Sequence, residues 1–462
     1  MTRHRGFPVA LIAGATLALA AASATAAPAG WTTVRGQLPA SSLDAAGDGP
    51  RTLVVGLAGR RLVVATLRGQ RVVRTQTLGT GVRAGLLRGT RVISLTGGAA
   101  LVVWSEGGRI ASSYRSAAGA RFGASRTVSF RPAGARDVTR APTVAAGPDG
   151  RVIVAWWGGP EGGRLGIWAA DLGSAGRWGA PHEISAGTYP VLNPPVPPVV
   201  ALGAAASPDG GFAVAWRQPV SGASILSRKA DVVGVTRLPG GDWSAPAVLG
   251  RGSLTSYDLP VVAPSAGTLA VTWADSRAER PDGVTSTTCL VASVLRPGSP
   301  PATADVTCRA QSSPGVARLV AAADGGVLAA WQVVPDWGVG VPLRAGIELF
   351  RLAPGASAWI KTDTAVANTL GYWDLDAFGP RPGGGALLLS DLSQTVRQTS
   401  GRQVRAVLVR DDGTVERRLP GPRTPRLRPS SKSLFALSGG QYRGLLSQGA
   451  VGSAYLLRRS AP

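Results

Sequence analysis

One phrase recurs along the chain: a short run of small apolar residues, an Asp-Gly or Gly-Gly turn, then an apolar run that often ends on Trp. Residues 143–156 read TVAAGPDGRVIVAW, residues 204–216 read AAASPDGGFAVAW, and residues 320–331 read VAAADGGVLAAW. Apolar runs this short, bounded by Gly-rich turns, read as strands rather than helices. Looser copies end at Trp104 and Trp273, and the same frame puts Gly56, Ser390 and Leu446 at the equivalent place. The eight markers follow one another at intervals of 48 to 60 residues. Two further strand-like runs follow the clearest markers: 165–171 and 178–185 after Trp156, 224–232 and 242–250 after Trp216.

Four short strands per repeat, without a long amphipathic helix, is the pattern of a β-propeller blade. The sequence therefore predicts an all-β fold, a β-propeller of eight four-stranded blades, or of seven if the weakly patterned unit 43–78 is irregular. The first strand of each unit is rich in Ala and Gly, as crowding at a central axis requires, and Trp falls on later strands. The last unit offers only three strands, 433–437, 442–447 and 453–458. Near the other end, Trp31-Thr32-Thr33-Val34 resembles the outer strands expected to start at Trp178 and Trp243. The N-terminal strand is expected to complete the last blade and close the ring, leaving no free edge. An open row of β-sandwich domains would explain neither the uniform period nor the missing strand.

Asp171-Leu172-Gly173-Ser174-Ala175-Gly176-Arg177-Trp178 and Pro239-Gly240-Gly241-Asp242-Trp243 fall at the turn between third and fourth strands. They resemble, in degenerate form, the Ser-x-Asp-x-Gly-x-x-Trp turn of the sialidase-like (BNR/Asp-box) β-propellers of the secreted bacterial type. The likeness extends over most of the chain as blade architecture. Asp boxes are structural turns remote from the sialidase active site, so the resemblance implies a fold and not an activity. A sialidase of this kind would also need three Arg for a carboxylate, a Tyr with a Glu partner and an acidic Asp. Among 46 Arg, that triad has no residue-by-residue match.

The ends of the chain and its cysteines address location. Residues 1–26 read as a signal peptide: basic Arg3, His4 and Arg5, an apolar stretch over 7–22, and Ala24-Thr25-Ala26 as a small-residue cleavage site. The apolar stretch is interrupted by Pro8 and Gly14 and falls short of the ~20 residues a membrane span needs. No later segment is long and apolar enough, so residues 27–462 are expected to form a single propeller domain with no membrane span, secreted or held at the cell envelope. Cys289 and Cys308 would then meet an oxidising environment. They flank two strand-like runs, 290–295 and 302–307, joined by a Pro- and Gly-rich turn, and a regular hairpin places them opposite each other. A disulfide is predicted, worth about 3 kcal/mol for a loop of this size in the chain-entropy model.

In a four-stranded meander the turns between strands one and two and between three and four share one face. Here they are short and stereotyped, and Asp149, Asp209 and Asp324 read as hairpin-turn residues. The opposite face carries long, varied loops, where a rigid scaffold usually presents its binding residues. Candidate ligand-binding residues on that face are Glu161, Tyr257, Asp258, Arg277, Trp337, Tyr372, Trp373 and Asp374. Tyr372-Trp373 is expected either to stack on a sugar ring or to pack between blades. The disulfide either fixes the root of the 274–286 loop or staples an irregular blade.

Composition then narrows the chemistry. With 49 basic and 26 acidic residues the formal charge is +23, falling to +21 once Arg3 and Arg5 leave with the signal peptide. Only Lys229, Lys361 and Lys432 among the basic residues are Lys, the bias of a GC-rich genome, and the Arg are dispersed. No basic stretch is interleaved with aromatics, so specific nucleic-acid recognition is not expected. His182 is the only His after the signal peptide, which argues against a Ser-His-Asp triad or a multi-His metal site. No phosphate-binding Gly-x-x-x-x-Gly-Lys-Ser/Thr loop occurs, and neither cofactor nor metal is expected. The expected function is that of a monomeric, non-catalytic binding or scaffold propeller at the cell envelope. Its ligand would be a glycan or anionic polymer, or another envelope protein. The alternative is a sialidase-like glycoside hydrolase.

Overall fold

Among the described residues the repeat phrase emerges as eight antiparallel sheets, seven built from strands that follow one another in the chain and one that joins strands from its two ends. The computed structural model describes residues 31–457, apart from 40, 49–50, 81, 83–87, 107, 130–141, 160–165, 174–175, 186–200, 220–228, 254–258, 279–285, 311, 314, 336–343, 371, 382–383, 394–401, 425–431, 439–440 and 448–454. The first sheet is Ser41–Asp48, Arg51–Ala58, Arg61–Arg68 and Arg71–Thr80. The second is Arg88–Ser94, Ala100–Glu106, Arg109–Arg115 and Arg126–Thr127. The third is Thr143–Ala146, Val152–Gly158, Gly166–Leu172 and His182–Glu183, and the fourth Leu202–Ala206, Phe212–Pro219, Lys229–Arg237 and Ala247–Ser253. The fifth is Val261–Val262, Leu269–Ala278, Ser286–Leu295 and Ala302–Ala310. In the sixth, Ser312–Ser313 and Ala317–Ala321 both pair with Val327–Pro335, followed by Arg344–Leu352 and Trp359–Leu370. The seventh is Tyr372–Pro380, Ala386–Ser393, Arg402–Val409 and Val415–Thr424. The eighth takes Lys432–Ser438, Gln441–Ser447 and Tyr455–Leu457 from one end of the chain and Trp31–Thr33 from the other, with Trp31 opposite Leu457. Among the described residues seven sheets are thus four-stranded and one is five-stranded.

All eight markers lie in the second strand of their sheets. The five Trp markers, Trp104, Trp156, Trp216, Trp273 and Trp331, are each the fifth residue of that strand and at most 1% exposed. They share one packing rule. Trp104 lies in a cluster with Leu53 and Val64 of the first sheet, Trp156 with Leu101 and Ile110 of the second, Trp216 with Ile153 and Ile167 of the third. Trp273 joins Ala213 and Val232 of the fourth sheet, and Trp331 joins Ala270 and Leu290 of the fifth. Each indole therefore welds its sheet to the one before it in the chain. Full burial of a side chain this large makes it a major source of stability at each joint.

The first strands meet one another in chain order, and that of the eighth sheet also meets that of the first. Their small residues are required by this approach: a Cβ on Gly203 would come within 2.4 Å of the Leu259 carbonyl oxygen.

Several expectations are corrected at the element level. The unit 43–78 forms a full four-stranded sheet, with strands of eight to ten residues and bulges in two of its pairings. The repeat pattern starts outer strands at Trp178 and Trp243, but these residues sit in the preceding turns, each in an isolated bridge, to Leu172 and Arg237. The strands proper are His182–Glu183 and Ala247–Ser253. The indoles explain the difference by reaching sideways. Trp178 Nε1 donates to Ser112 Oγ at 2.8 Å in the second sheet, and Trp243 Nε1 donates to His182 Nε2 at 2.7 Å in the third.

Candidate functional site

The short-turn face carries the larger described cleft, about 530 Å³, at the joint between the third and fourth sheets. Its walls are the turn 149–151, the end of the strand Gly166–Leu172 with Gly173, and Arg237 with the turn glycines Gly240 and Gly241. The local sequence dictates this shape. Asp149 accepts a hydrogen bond from the Arg151 amide at 3.1 Å, closing the turn, and Gly150 takes the positive φ of 79° that the turn demands. Across the cleft, Gly176 and Gly240 take φ of 67° and 68°, so both third-to-fourth-strand turns stay tight and low.

An ion pair spans the joint. Arg237 donates to both carboxylate oxygens of Asp171, Nη1 to Oδ2 at 2.9 Å and Nη2 to Oδ1 at 2.5 Å. Its guanidinium lies 5.0 Å from the centre of the Phe212 ring and 4.9 Å from that of Trp243, within cation–π range of both. Trp243 in turn is fixed by His182, so guanidinium, indole and imidazole form one chain of contacts across the two sheets. The Arg237 side chain is 12% exposed, whereas Asp171 is 41%, Asp149 40% and Arg151 53% exposed. The cleft is therefore a rigid floor with accessible carboxylate and guanidinium edges above it.

The same face holds the latches between other sheets. Asp209 accepts from Ser207 Oγ and, across the joint to the fifth sheet, from the Ala266 amide at 2.8 Å. Burial alone would raise its pKa, but the hydrogen bonds from Ser207 and from the Ala266 and Gly211 backbones outweigh it and hold the carboxyl below its ordinary range. Asp411 accepts from the Gly385 amide at 2.7 Å and the Ala323 amide at 3.2 Å, and Arg351 joins Asp324 to the Asp411 carbonyl. Asp149, Asp209 and Asp324 are turn residues as expected, and Asp209 and Asp324 also contribute to these joints.

Of the residues proposed from sequence, Glu161, Tyr257, Asp258 and Trp337 lie outside the described residues. Tyr372, Trp373 and Asp374 are not loop residues: they begin the first strand Tyr372–Pro380. Arg277 is not a loop residue: it lies on Leu269–Ala278, directly opposite Thr287. Strand pairing continues beyond the expected loop root, as far as Ala278 opposite Ser286. Cys289 and Cys308 are bonded and directly opposite in register. Arg277 donates Nη1 and Nη2 to Asp305, both at 2.7 Å, and Nε to Asp275 at 3.0 Å. These hydrogen bonds, with Asp305 the stronger partner, raise the Arg277 pKa further above its already high value. Arg277 thus braces the disulfide corner. Asp305 lies beside Cys289 and Cys308, but the joined sulfurs offer no thiolate to a metal.

Sequence reasoning assigned Asp171, Gly240 and Gly241 to structural turns and missed that they line a cleft with Arg237. One signal was available: Asp171 and Arg237 both sit at the ends of third strands, one repeat apart, beside the two degenerate Asp-box turns.

No family model matches the chain, and no curated protein matches it. Among solved structures it is similar to a polysaccharide lyase, an ulvan lyase, at 11% identity and TM-score 0.45, over 93% of this chain and 95% of that one. It is also similar to a Hadza microbial sialidase (11% identity, TM-score 0.38, 87% of this chain and 74% of that one). A third is an α-L-arabinanase of Penicillium chrysogenum (12% identity, TM-score 0.39, 70% of this chain and 93% of that one). No residue role passes from these proteins to this chain.

Among the described residues no helix is long and apolar enough to cross a membrane.

Proposed function

We propose that this is an exported eight-bladed β-propeller that binds a carbohydrate or anionic polymer of the cell envelope without cleaving it, as a monomer. The blade count is supported by eight sheets whose first strands meet in order, and ring closure by the strand Trp31–Thr33 at the edge of the eighth sheet. Export rests on the signal-like residues 1–26 and agrees with the disulfide. Glu161, Tyr257, Asp258, Trp337, Tyr372, Trp373 and Asp374 are retained as a further contact region on the long-loop face.

The observation that carries the binding reading is the Asp171–Arg237 pair in the third–fourth cleft. Both Asp171 oxygens are engaged by one guanidinium that is itself held against two aromatic rings. A general acid must carry a proton to its substrate, and a nucleophile must present a free oxygen. Asp171 is instead a fixed acceptor, beside the fixed guanidinium of Arg237 and the exposed one of Arg151. Such an edge matches the paired hydroxyl groups of a sugar ring or the charged groups of an anionic polymer.

The test is co-sedimentation with purified envelope polymers at low and high ionic strength, comparing the native chain with Asp171→Asn and Arg151→Ala. The native chain should bind at low ionic strength and less at high, since salt screens exposed charge. Each variant should bind about tenfold more weakly. No binding at low ionic strength, or unchanged binding by both variants, overturns the reading. Release of reducing ends that disappears in Asp149→Asn and Asp171→Asn establishes the hydrolase instead.

A further inference from the structure

A second cleft on the short-turn face, about 250 Å³, lies at the joint between the first and second sheets and is lined by Arg51, Thr66, Arg68, Val73, Arg74, Arg115 and Gly119. We propose that this cleft is a binding site for a phosphate or sulfate group. The inference is independent of the glycan reading, which concerns a different joint and different residues.

Strand register brings the cations together. Arg51 and Arg68 are directly opposite each other on adjacent strands, an arrangement in which like charges repel. A bulge in the next pair shifts the register between Thr66 and Leu67, so that Arg74, rather than Val73, stands opposite Thr66. Bulges re-aim side chains in this way, and here the bulge places a third guanidinium on the same face of the first sheet. The second sheet supplies the fourth. Arg115 is 2% exposed, lies 5.3 Å from the centre of the Phe122 ring and donates to the Gly98 carbonyl at 3.0 Å.

Neighbouring groups set the positions of two of the surface arginines. Arg74 donates to the Gly119 carbonyl at 2.7 Å, which ties it to the second sheet. The Arg51 guanidinium lies 3.4 Å from where a Cβ on Gly119 would stand, in contact with a turn whose φ of 84° at Gly119 favours glycine. Arg68 is exposed at the rim. The described lining contains no carboxylate, in contrast to the third–fourth cleft, where Asp149 and Asp171 offset Arg151 and Arg237.

Four guanidiniums around so small a volume favour an anion of more than one charge and several acceptor oxygens. A tetrahedral phosphate or sulfate group meets both conditions, and guanidinium donors match its oxygens in pairs. The Thr66 hydroxyl at the centre of the row adds a neutral donor.

The experiment is a thermal-unfolding titration of the full chain with inorganic phosphate, sulfate and glycerol 1-phosphate, against chloride and acetate at matched ionic strength. Ligand that binds the folded chain alone raises its melting temperature with a saturable dependence on concentration. Phosphate or its monoester should do so, with sulfate following and chloride and acetate without saturable effect. The stronger of inorganic phosphate and the monoester names the natural source. Arg68→Gln/Arg74→Gln should weaken the apparent affinity at least tenfold, whereas Arg109→Gln/Arg417→Gln, which removes two exposed charges elsewhere, should leave it within about twofold. Should the first variant fold poorly, Arg68→Gln alone should still weaken binding severalfold. Absence of a saturable response in the native chain overturns the site. So does equal weakening by the two double variants, which would assign the effect to diffuse charge.

Discussion

At the scale of single residues, the acids of the short turns have a double role. The Asp-Gly phrase explains Asp209 as a hairpin residue, yet its second oxygen holds the Ala266 amide of the next sheet. Its folded-state pKa is lowered, whereas an unfolded Asp titrates near the ordinary value of about 3.9. In acid the unfolded chain therefore takes up this proton first, so stability rises with pH across that window. The contribution is present in full above about pH 4 and is lost as the pH falls through the lower folded-state value. Asp209 is exposed, so the effect is below about 1 kcal/mol. Urea unfolding of Asp209→Asn across pH 2 to 6 should show a flatter acid limb than the native chain and no difference in shape near neutrality. An identical acid limb would show that the latch carries no proton linkage.

At the scale of the element, the fifth sheet shows how a local pairing extends itself. The cysteines, placed opposite each other by the turn over 296–301, hold together the strands Ser286–Leu295 and Ala302–Ala310. Arg277 then ties the neighbouring strand to Asp305 on the far side of the disulfide strand, so three strands share one brace. Cys289→Ala/Cys308→Ala should lower the unfolding free energy by about 3 kcal/mol in urea titrations, the value for closing a loop of this size. A loss under about 1 kcal/mol would mean that Arg277 and strand pairing already confine that hairpin. The hairpin and its disulfide were legible because symmetry about one turn sets them. The strand position of Arg277 is not legible in the sequence, because a polar strand edge braced by an ion pair has the same composition as a loop.

At the scale of the whole molecule, several polar links between sheets lie on the short-turn face: Arg237 to Asp171, Arg74 to Gly119 and Asp209 to Ala266. Tight turns hold their side chains at fixed positions, so this face can both latch the sheets and shape clefts between them. Removal of residues 1–33 would leave Tyr455–Leu457 as an unpaired edge. Size-exclusion chromatography of that truncated chain should show association, and its melting temperature should fall by several degrees. A monomeric chain of unchanged melting temperature would argue against a structural role for the strand Trp31–Thr33. The sequence alone determined the β class, the period, the position of each marker Trp in a second strand, the cysteine pairing and the N-terminal partner of the last sheet. All of these follow from apolar patterning and turn chemistry, which act over a few residues and repeat. Only the tertiary structure decided which side chains meet across a joint. Asp171 and Arg237 lie 66 residues apart, and Arg51 and Arg115 64, and no local pattern encodes those distances. The clefts are set by how adjacent sheets pack edge to edge, and the residues that line them look in sequence like ordinary turn and strand-end residues.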